Sequence, residues 1–522
     1  MLKVAVSQTN GHDDSSCLLS GFRHPCHSLQ YALKAMDNLN IYNATTLKIA
    51  VIDAKYLLQD QVSIVQPDDS KTIYITSEMF SSVIQCISPN AAVVVGSQIV
   101  PEFMYATARN IHFSYLAFQN CGPNLAAAVL VWNGGNISFS KCKFRDNINA
   151  GLNSFDSSIM VEHCVFINNT GNVRNESVIF DPGLSSSGGA LPIMFNHSVK
   201  LSATIENATF ERNSALVNNS VFHIAPSSNI SGFYRGGGGL LVAFVEEAKF
   251  CSVFIINCSF RNNSATYGGG VFFLGSGSSH FNRIRFNGGN LSYNLGAQAG
   301  GAISTSLWDK ASKMEVVLKN LIVKQNWGRR GAGVNGFFMS YIGKSYNSML
   351  RLENVQFFSN YGYGSRAVRF TTALPLDVQL PLVPEIINCK VIKHDHLDST
   401  PTITSPLTSQ RVDVIFRGHN VFQGNLGVGA AHIENSILYI DGKVEFLQNT
   451  GYRGGALELI SSQIKLYSGS ELVFIGNSAT GLGGAVMVKT FRAGEMIHQY
   501  NTDCFLAYID RHLPPSKWNV SI

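Results

Sequence analysis

The chain has 522 residues, of which 45% are hydrophobic and only 14% are Asp, Glu, Lys or Arg. This length would suggest about three or four domains of ordinary size, unless a repeat architecture extends one core along a single axis. The net charge of +5 is small for this length and no dense Lys/Arg cluster occurs, so nucleic acid is excluded as an expected partner.

No apolar run is long enough to cross a membrane. The longest runs, at 126–132 and 240–245, are far shorter than the ~20 residues that a spanning helix needs. The segment 1–7 is too short for the apolar part of a secretory signal. Because other features indicate secretion, we expect that a signal peptide is missing from this sequence, and that the tail 491–522 is truncated.

The clearest helical signal lies at 28–38. Leu29, Ala32, Leu33 and Met36 recur at the spacing of one helix face. An amphipathic helix at this place suits a repeat protein, since it covers the open hydrophobic end of the first repeat. We therefore predict a cap region over 1–45, with the helix of a separate small domain as the alternative.

A two-part motif recurs along the rest of the chain. Its first part is Phe-x-x-Asn, and its second part is Gly-Gly-Ala followed by an aliphatic residue, as in 474–486. Each period contains three strand-like pieces, such as 462–467, 471–475 and 484–488. The first part, with Phe or an aliphatic residue, occurs at Phe144/Asn147, Phe166/Asn169, Phe210/Asn213, Phe260/Asn263, Leu291/Asn294, Val323/Asn326, Phe357/Asn360, Phe422/Asn425, Phe446/Asn449 and Phe474/Asn477.

This repeat predicts an all-β fold, a right-handed parallel β-helix solenoid over 46–490 with an N-terminal capping helix. Equivalent strands of successive coils pair at ~4.8 Å, so Phe446 should stack on Phe474 in the core. The Asn should adopt a left-handed conformation at the corner and form a side-chain ladder, and the Gly pair should permit the next corner. A propeller, with four antiparallel strands in about 40 residues, fits the period less well.

Two stretches interrupt the rhythm, near 171–235 and 371–409, and the second holds five of the fifteen prolines. We interpret both as insertions that leave the coil at a corner, where such insertions often form the binding face.

The paired motifs resemble the repeats of polymorphic outer membrane proteins and related adhesins. The opening, from Cys17 through Cys26 to Leu33, is similar to the start of right-handed β-helix proteins of the pectin-lyase-like type that form large extracellular families in invertebrate animals. The resemblance covers roughly residues 15–490 and is closest to the invertebrate group, since nothing supplies the membrane barrel of the bacterial relatives. It implies surface display and adhesion or recognition.

Ten cysteines occur, none in a Cys-x-x-Cys pair, so zinc and thioredoxin-like sites are not expected. Cys142, Cys164 and Cys258 precede a repeat Phe by two positions and should face inward. They are buried apolar residues in one interpretation, while in the other Cys142 and Cys164 form a disulfide between coils. Cys17 and Cys26 enclose a short loop and are the better disulfide candidates in a secreted protein.

Twelve Asn-x-Ser/Thr sequons are candidate glycosylation sites, although about half that number is expected by chance in a chain this rich in Asn and Ser. No sequon lies between Ser292 and Lys517, so we expect the ligand to dock on the coils from about Leu318 to Val488. The sequon asparagines are Asn43, Asn136, Asn168, Asn175, Asn196, Asn207, Asn218, Asn229, Asn257, Asn262, Asn290 and Asn519.

The parallel β-helix also hosts polysaccharide lyases and hydrolases, so catalytic motifs must be considered. Asn501-Thr502-Asp503 and Gly418-His419-Asn420 resemble parts of a polygalacturonase site, but they occur in the wrong order and lack an Asp pair between them. His394, His396, Asp395 and Asp398 form a His/carboxylate cluster, interpreted as a solvated loop or alternatively as a surface metal site.

We therefore predict a non-catalytic extracellular or cell-surface recognition protein that binds a glycan or an extracellular protein. No catalytic residue, metal or cofactor is expected, and the ligand-binding residues are not identified by the sequence. A carbohydrate-active enzyme is the alternative, and carboxylates and basic residues converging in one groove would favour it.

Overall fold

The computed structural model describes most of the chain. The described residues are 1–19, 21–36, 43–65, 70–78, 81–88, 91–96, 108–121, 127–171, 188–216, 236–308, 311–339, 348–362, 365–372, 383–394, 405–489, 499–500 and 520–521. The chain divides into two compact units, Met1–Ala265 (unit 1) and Thr266–Ile522 (unit 2), with the division inside the strand Ser264–Tyr267.

Unit 1 is built from short β-strands that pair in parallel, with one short helical segment. The strands are Leu2–Val6, Gly21–Cys26, Thr46–Val51, Lys55–Leu58, Val62–Ile64, Thr72–Ser77, Ser82–Cys86, Val93–Val95, Ala108–Ser114, Leu116–Gln119, Val129–Trp132, Gly134–Ser140, Lys143–Arg145, Leu152–Phe155, Ile159–Glu162, Val165–Ile167, Leu191–Phe195, Ser202–Glu206, Thr209–Glu211, Ser214–Ala215, Leu240–Phe244 and Ser252–Arg261.

Unit 2 has the same construction. The one antiparallel pairing described there joins Val486–Lys489 to Gln499–Tyr500. The strands are Val271–Gly275, Arg283–Ser292, Leu295–Ala299, Ile303–Trp308, Glu315–Lys324, Trp327–Gly328, Val334–Met339, Met349–Glu353, Gln356–Phe358, Val368–Thr372, Glu385–Ile387, Lys390–Ile392, Leu407–Gln410, Val414–Gln423, Leu426–Gly427, Ala431–Glu434, Ile437–Leu447, Thr450–Arg453, Leu457–Ile460, Gln463–Leu466, Glu471–Ile475, Ser478–Leu482, Val486–Lys489, Gln499–Tyr500 and Val520–Ser521.

One coil of unit 2 shows the path of the chain. The strand Ile437–Leu447 bends at Gly442, and the chain then turns at Asn449 into the short strand Thr450–Arg453. A second turn leads into Leu457–Ile460. Each strand pairs in parallel with its equivalent in the next coil. The fold is the right-handed parallel β-helix that the sequence predicted.

The inward-facing phenylalanines stack along the coils, as predicted. In unit 2 the rings of Phe446 and Phe474 lie 5.3 Å apart with an angle of 10° between their planes. Phe446 also stacks on Phe422 at 4.9 Å. Unit 1 has its own stack, formed by Phe118, Phe144, Phe166, Phe210 and Phe260.

The predicted asparagine ladder is present in both units. Asn449 is fully buried; its Nδ2 donates to Oδ1 of Asn477 at 2.9 Å and to the carbonyl of Phe422 at 2.9 Å. The prediction was wrong about the conformation at this corner. The left-handed residue is the one before the ladder Asn, such as Gln448 with φ of 52°, because the ladder side chain must turn inward while its predecessor reverses the chain.

The glycine corner has the geometry that the motif indicates. Gly454 has φ of 57°, and a Cβ there would lie 2.4 Å from the carbonyl oxygen of Leu457. Ala456 follows with no exposed surface, so a larger side chain would not fit. These two requirements explain why glycine and alanine occupy this turn.

The N-terminal region contains the predicted helix in a shorter form. An α-helix spans Leu29–Ala32 and continues as a 3₁₀-helix over Leu33–Met36, and Ser28 caps its first turn by accepting from the amide of Tyr31. The region also contains a strand that the sequence did not suggest. Leu2–Val6 pairs in parallel register with Thr46–Val51, so the coils begin within the segment predicted as a cap.

Neither of the two predicted insertions consists only of residues that leave the coil. The stretch 371–409 contains Glu385–Ile387 and Lys390–Ile392, which pair in register with the coils before and after them. The stretch 171–235 likewise contains Leu191–Phe195 and Ser202–Glu206. Each stretch therefore includes strands of a regular coil, because a strand that buries one face must keep the common register. The intervening parts 172–187, 217–235, 373–382 and 395–404 lie outside the described residues.

Candidate ligand-binding site

The outer side of one sheet in unit 2 carries a continuous row of polar side chains. In each strand after the glycine corner the aliphatic residue of the motif is buried, and the residue after it lies on the outer side. The parallel register places these outer residues directly next to one another. We call the row the polar column; its members are Ser304, Asn335, Arg369, Thr408, His432 and Glu458.

The middle of this column is accessible and its ends are not. Ser304, Asn335 and Glu458 are 0%, 3% and 1% exposed, whereas the three residues between them are partly exposed. Gln410 and Glu434 form a second outer row in register beside Thr408 and His432, and they are also partly exposed. We call the accessible set the polar face; it comprises Arg369, Thr408, Gln410, His432 and Glu434.

His432 lies between two carboxylates. Its Nδ1 is 2.7 Å from Oε2 of Glu458, and its Nε2 is 3.6 Å from Oε2 of Glu434. Burial by itself disfavours the imidazolium, but hydrogen bonds and charge attraction from the two glutamates outweigh it and raise the pKa of His432. Gln410 Nε2 donates to the same Glu434 oxygen at 3.0 Å. These bonds hold the side chains of His432, Glu434 and Gln410 in fixed positions.

Glu458 is compensated from two sides. Besides His432, Arg453 approaches its Oε1 with Nη1 at 4.0 Å. A buried carboxylate is tolerated when such partners replace water. Glu434 is the carboxylate that a ligand can reach, and its free acceptor capacity suits a hydroxyl or amide donor.

Arg369 is the cationic member of the polar face. Burial and the nearby guanidinium of Arg330 lower the pKa of Arg369 to about 10. Within the described part of unit 2, neither arginine forms an ion pair with Asp or Glu. The two side chains therefore give this end of the face a positive charge.

The other outer surface of unit 2, formed by the strands before the asparagine ladder, carries ion pairs between neighbouring coils. Neighbouring coils contribute Arg351 and Glu385 at 2.7 Å, and Lys319 and Glu353 at 2.7 Å. Exposed pairs of this kind contribute at most about 1 kcal/mol each.

Unit 1 has mainly apolar residues at the positions of the polar column and the row beside it. Leu130, Trp132, Phe155 and Met194 are between 5% and 7% exposed, and Leu241 is fully buried. At these positions unit 1 therefore has fewer hydrogen-bonding groups than unit 2, with Ser63 and Asn153 as polar members.

His394 is not part of a solvated loop, so that interpretation of the predicted His/carboxylate cluster is wrong for this residue. Its side chain is fully buried in the asparagine ladder between Asn360 and Asn425. The chain Val391-Ile392-Lys393-His394 is a copy of the Phe-x-x-Asn motif with His in place of Asn. Asp395, His396 and Asp398 lie outside the described residues.

The polygalacturonase-like tripeptides are not brought together in the described structure. His419 is exposed at a corner of unit 2, where its Nε2 lies 3.0 Å from Oε2 of Glu445. Asn501, Thr502 and Asp503 lie outside the described residues. No group of three or more His, Cys, Asp or Glu residues in the described ranges is arranged to hold a metal ion.

The cysteines form two disulfides within unit 1. Cys17 is joined to Cys26, the better of the two candidate pairs, and Cys86 is joined to Cys121, which the sequence did not suggest. The candidate bridge between Cys142 and Cys164 is not formed. Both thiols are buried and instead donate to backbone carbonyls, Cys142 to Ser140 and Cys164 to Phe139 and Glu162.

Cys121 stands at a ladder position. Phe118-Gln119-Asn120-Cys121 has Cys where the motif has Asn, and the amide of Cys121 donates to Oδ1 of Asn147 as a ladder residue does. An alignment of the motif copies predicts that the side chain of Cys121 points inward and lies near the preceding coil, which contains Cys86.

The sequon asparagines lie mostly at corners. Six of the described ones have positive φ, and this conformation favours Asn independently of glycosylation. Asn196 and Asn290 are half-buried, and Asn175, Asn218, Asn229 and Asn519 lie outside the described residues. The corner asparagines are Asn43, Asn136, Asn168, Asn207, Asn257 and Asn262.

The comparisons with known proteins point to the same repeat. The family model of the Chlamydia polymorphic membrane protein (Chlamydia_PMP) repeat matches residues 471–489, the copy that contains Phe474, Asn477 and Gly483. No curated protein matches the chain. The resemblance to polymorphic-membrane-protein repeats is therefore confirmed for this copy, while the resemblance to the invertebrate and pectin-lyase-like groups stays a prediction.

Two solved structures are similar over most of the chain. The surface adhesin PfbA of Streptococcus pneumoniae is 9% identical with a TM-score of 0.34, over 90% of each chain. The tailspike gp61 of Pseudomonas phage phi297 is 10% identical with a TM-score of 0.36, over 88% of this chain and 76% of that one. The described residues contain no helix with the length and apolar character needed to cross a membrane.

Proposed function

We propose that this protein is an extracellular or cell-surface recognition protein that binds a glycan or protein ligand without catalysing a reaction. The observation that carries the proposal is the polar face, where hydrogen-bonding side chains of successive coils lie in register and are partly exposed. Regular spacing along a solenoid is well suited to an extended ligand.

The disulfides support an extracellular location. Disulfides such as Cys17–Cys26 and Cys86–Cys121 persist in oxidising compartments and are rare in the cytosol. Exposed sequon asparagines such as Asn168 and Asn257 fit the same location, since they lie where an oligosaccharide can be attached.

The burial of Glu458 favours binding over catalysis. Hydrolysis by two carboxylates requires both groups to face the scissile bond. Glu434 is accessible, but Glu458 is 1% exposed and already engaged by His432 and Arg453. Such an arrangement can position His432 and Glu434 for hydrogen bonding to a ligand.

The double variant Thr408→Val with Gln410→Leu tests the proposal, because it removes hydrogen-bonding groups while nearly keeping side-chain volume. Binding is measured on an array of glycans and on a panel of purified extracellular proteins. We expect the double variant to lose at least about tenfold in affinity for the ligand of the wild type. The matched control is Gln356→Leu with Gln423→Leu, two exposed positions on the other outer surface of unit 2. Equal loss by both double variants, or loss by neither, would contradict the proposal.

A carbohydrate-active enzyme is the second candidate, and His432 between two glutamates is the observation in its favour. Assays for new reducing ends and unsaturated products on neutral and uronic-acid polysaccharides distinguish the two. The recognition function predicts no turnover. Turnover that disappears in Glu434→Gln would establish the enzyme instead.

A further inference from the structure

Within the described part of unit 2, no carboxylate balances the charge of Arg369. Its register neighbours in the polar column are Asn335 and Thr408, which carry no charge. Asn335 Nδ2 donates to Ser304 Oγ at 3.4 Å, and its Oδ1 has no hydrogen-bond partner, so Arg369 does not use the nearest acceptor in its own column. Among the described residues, no carboxylate forms an ion pair with Arg369.

A second guanidinium adds to this imbalance. Arg330 is exposed at the corner before Gly331 and is close enough to affect the titration of Arg369. A partly desolvated cation beside a like charge is unfavourable without a counter-charge. In contrast, the arginines on the other outer surface, such as Arg351 and Arg417, each contact a carboxylate. Arg369 therefore differs from Arg351 and Arg417, because no described carboxylate contacts it.

We propose that Arg369 and Arg330 bind an anionic group of an acidic glycan, whose hydroxyl groups then bind Thr408, Gln410 and Glu434. This inference rests on the proposed function and names the ligand class for the same face. Guanidinium groups recognise carboxylate and sulfate alike, because both present oxygens that match the planar donors.

The rest of the face favours a glycan over an acidic peptide. His432 and Glu434 lie two coils from Arg369, a distance of about 10 Å along the column. Over this length the accessible groups are a hydroxyl, an amide and a carboxylate, which a sugar ring can match with several hydroxyls. Glu434 repels a second anionic group of the ligand. The glycan is therefore oriented with its acidic group at Arg369 and its hydroxyl groups at Glu434.

Calorimetric titration with three oligosaccharides tests the proposal: a hyaluronan hexasaccharide with carboxylates, a heparin-derived hexasaccharide with carboxylates and sulfates, and neutral cellohexaose. The wild type should bind at least one acidic oligosaccharide more tightly than cellohexaose, with affinity that falls as salt rises. The first two ligands distinguish a preference for carboxylate from one for sulfate.

The variants Arg369→Gln and Arg330→Gln should each weaken binding of the acidic oligosaccharide, by about ten- to a hundredfold for Arg369→Gln. Arg351→Gln is the control, since it removes an equal charge from the other surface, and the exposed Arg330 leaves a test even if Arg369→Gln folds poorly. Unchanged affinity in both variants, or equal binding of cellohexaose, would overturn the inference. If binding in that case is still weakened by Thr408→Val with Gln410→Leu, the recognition function stands without the acidic ligand. If this double variant also binds as the wild type does, both proposals fail.

Discussion

The imidazole of His394 replaces an asparagine in the ladder of unit 2, with its Nδ1 3.1 Å from Oδ1 of Asn425. On the other side its Nε2 lies 3.3 Å from Nδ2 of Asn360. Because Oδ1 can only accept and Nδ2 can only donate, the neutral tautomer with its proton on Nδ1 satisfies both neighbours. Protonation of Nε2 would set two donors against each other, and burial opposes the charge as well. Burial, the larger cause, holds the pKa of His394 at about 3.

This low pKa predicts a pH-dependent stability that His394→Asn removes. The unfolded chain binds a proton below about pH 6.5, whereas the folded chain does so below about pH 3. Stability from this group is complete above pH 6.5 and is lost as the pH falls through that window. Between about pH 7.5 and about pH 5 the wild type should lose about 2 kcal/mol more than the variant. Urea unfolding at both pH values checks this, and parallel pH profiles would show that His394 is not buried as a neutral group.

The asparagine ladder predicts a large cost for Asn449→Leu. The substitution removes the acceptor of the buried backbone amide of Asn425 and breaks the side-chain bonds of Asn449 to Asn425 and Asn477. Each unsatisfied group costs about 1–3 kcal/mol, so the free energy of unfolding should fall by at least about 2 kcal/mol. Gln423→Leu, at an exposed position two residues before Asn425, is the control and should change stability by less than about 0.5 kcal/mol. A similar small change for both would mean that the ladder contributes little.

The phenylalanine stack predicts a cavity cost for Phe446→Ala. Phe446 has no exposed surface and is in contact with rings on both sides. Loss of this side chain should reduce stability by about 3–5 kcal/mol in thermal or urea unfolding. Ile475→Ala, at a position that is 57% exposed, should be close to neutral. A loss of less than about 1 kcal/mol for Phe446→Ala would be incompatible with the stack.

The disulfide at the ladder position predicts that the double variant Cys86→Ser with Cys121→Ser has a lower free energy of unfolding than the wild type. The two cysteines are 35 residues apart, and opening a loop of this length should cost about 3–4 kcal/mol by the chain-entropy estimate. Mass mapping of the untreated protein should find peptides linked through Cys86 and Cys121. Cys142→Ala is a control that removes a buried thiol without opening a loop. Free thiols at Cys86 and Cys121 in the protein purified without reductant would contradict the pairing.

The sequence predicted the core of this fold well because the core repeats. Phe446, Asn449 and Gly454 each meet a local requirement that recurs in every coil, so their order reveals the architecture. The motif copies that the sequence did not reveal are those in which a different side chain meets the same requirement. His394 and Cys121 satisfy the ladder through an imidazole and a disulfide, and the coil around His394 was therefore mistaken for an insertion.

The polar face was missed because outer residues are not constrained by the core. Arg369, His432 and Glu458 are at least 26 residues apart in the sequence and come into one column only through the register of the coils. A usable signal was nevertheless present, since each follows the residue at the aliphatic position of the glycine-corner motif. Reading that single position down the repeats of unit 2 gives Phe272, Ser304, Asn335, Arg369, Thr408, His432, Glu458 and Met487.

Hydrogen exchange with and without the bound ligand tests the central claim most directly, because it reports which sheet the ligand covers. The probe is the oligosaccharide or protein that binds the wild type most tightly. We expect slower exchange in Leu407–Gln410 and Ala431–Glu434, the strands that carry the polar face, and no change in Gln463–Leu466 on the other outer surface. Protection confined to Gln463–Leu466, or to the strands of unit 1, would contradict the assignment of the polar face as the binding site.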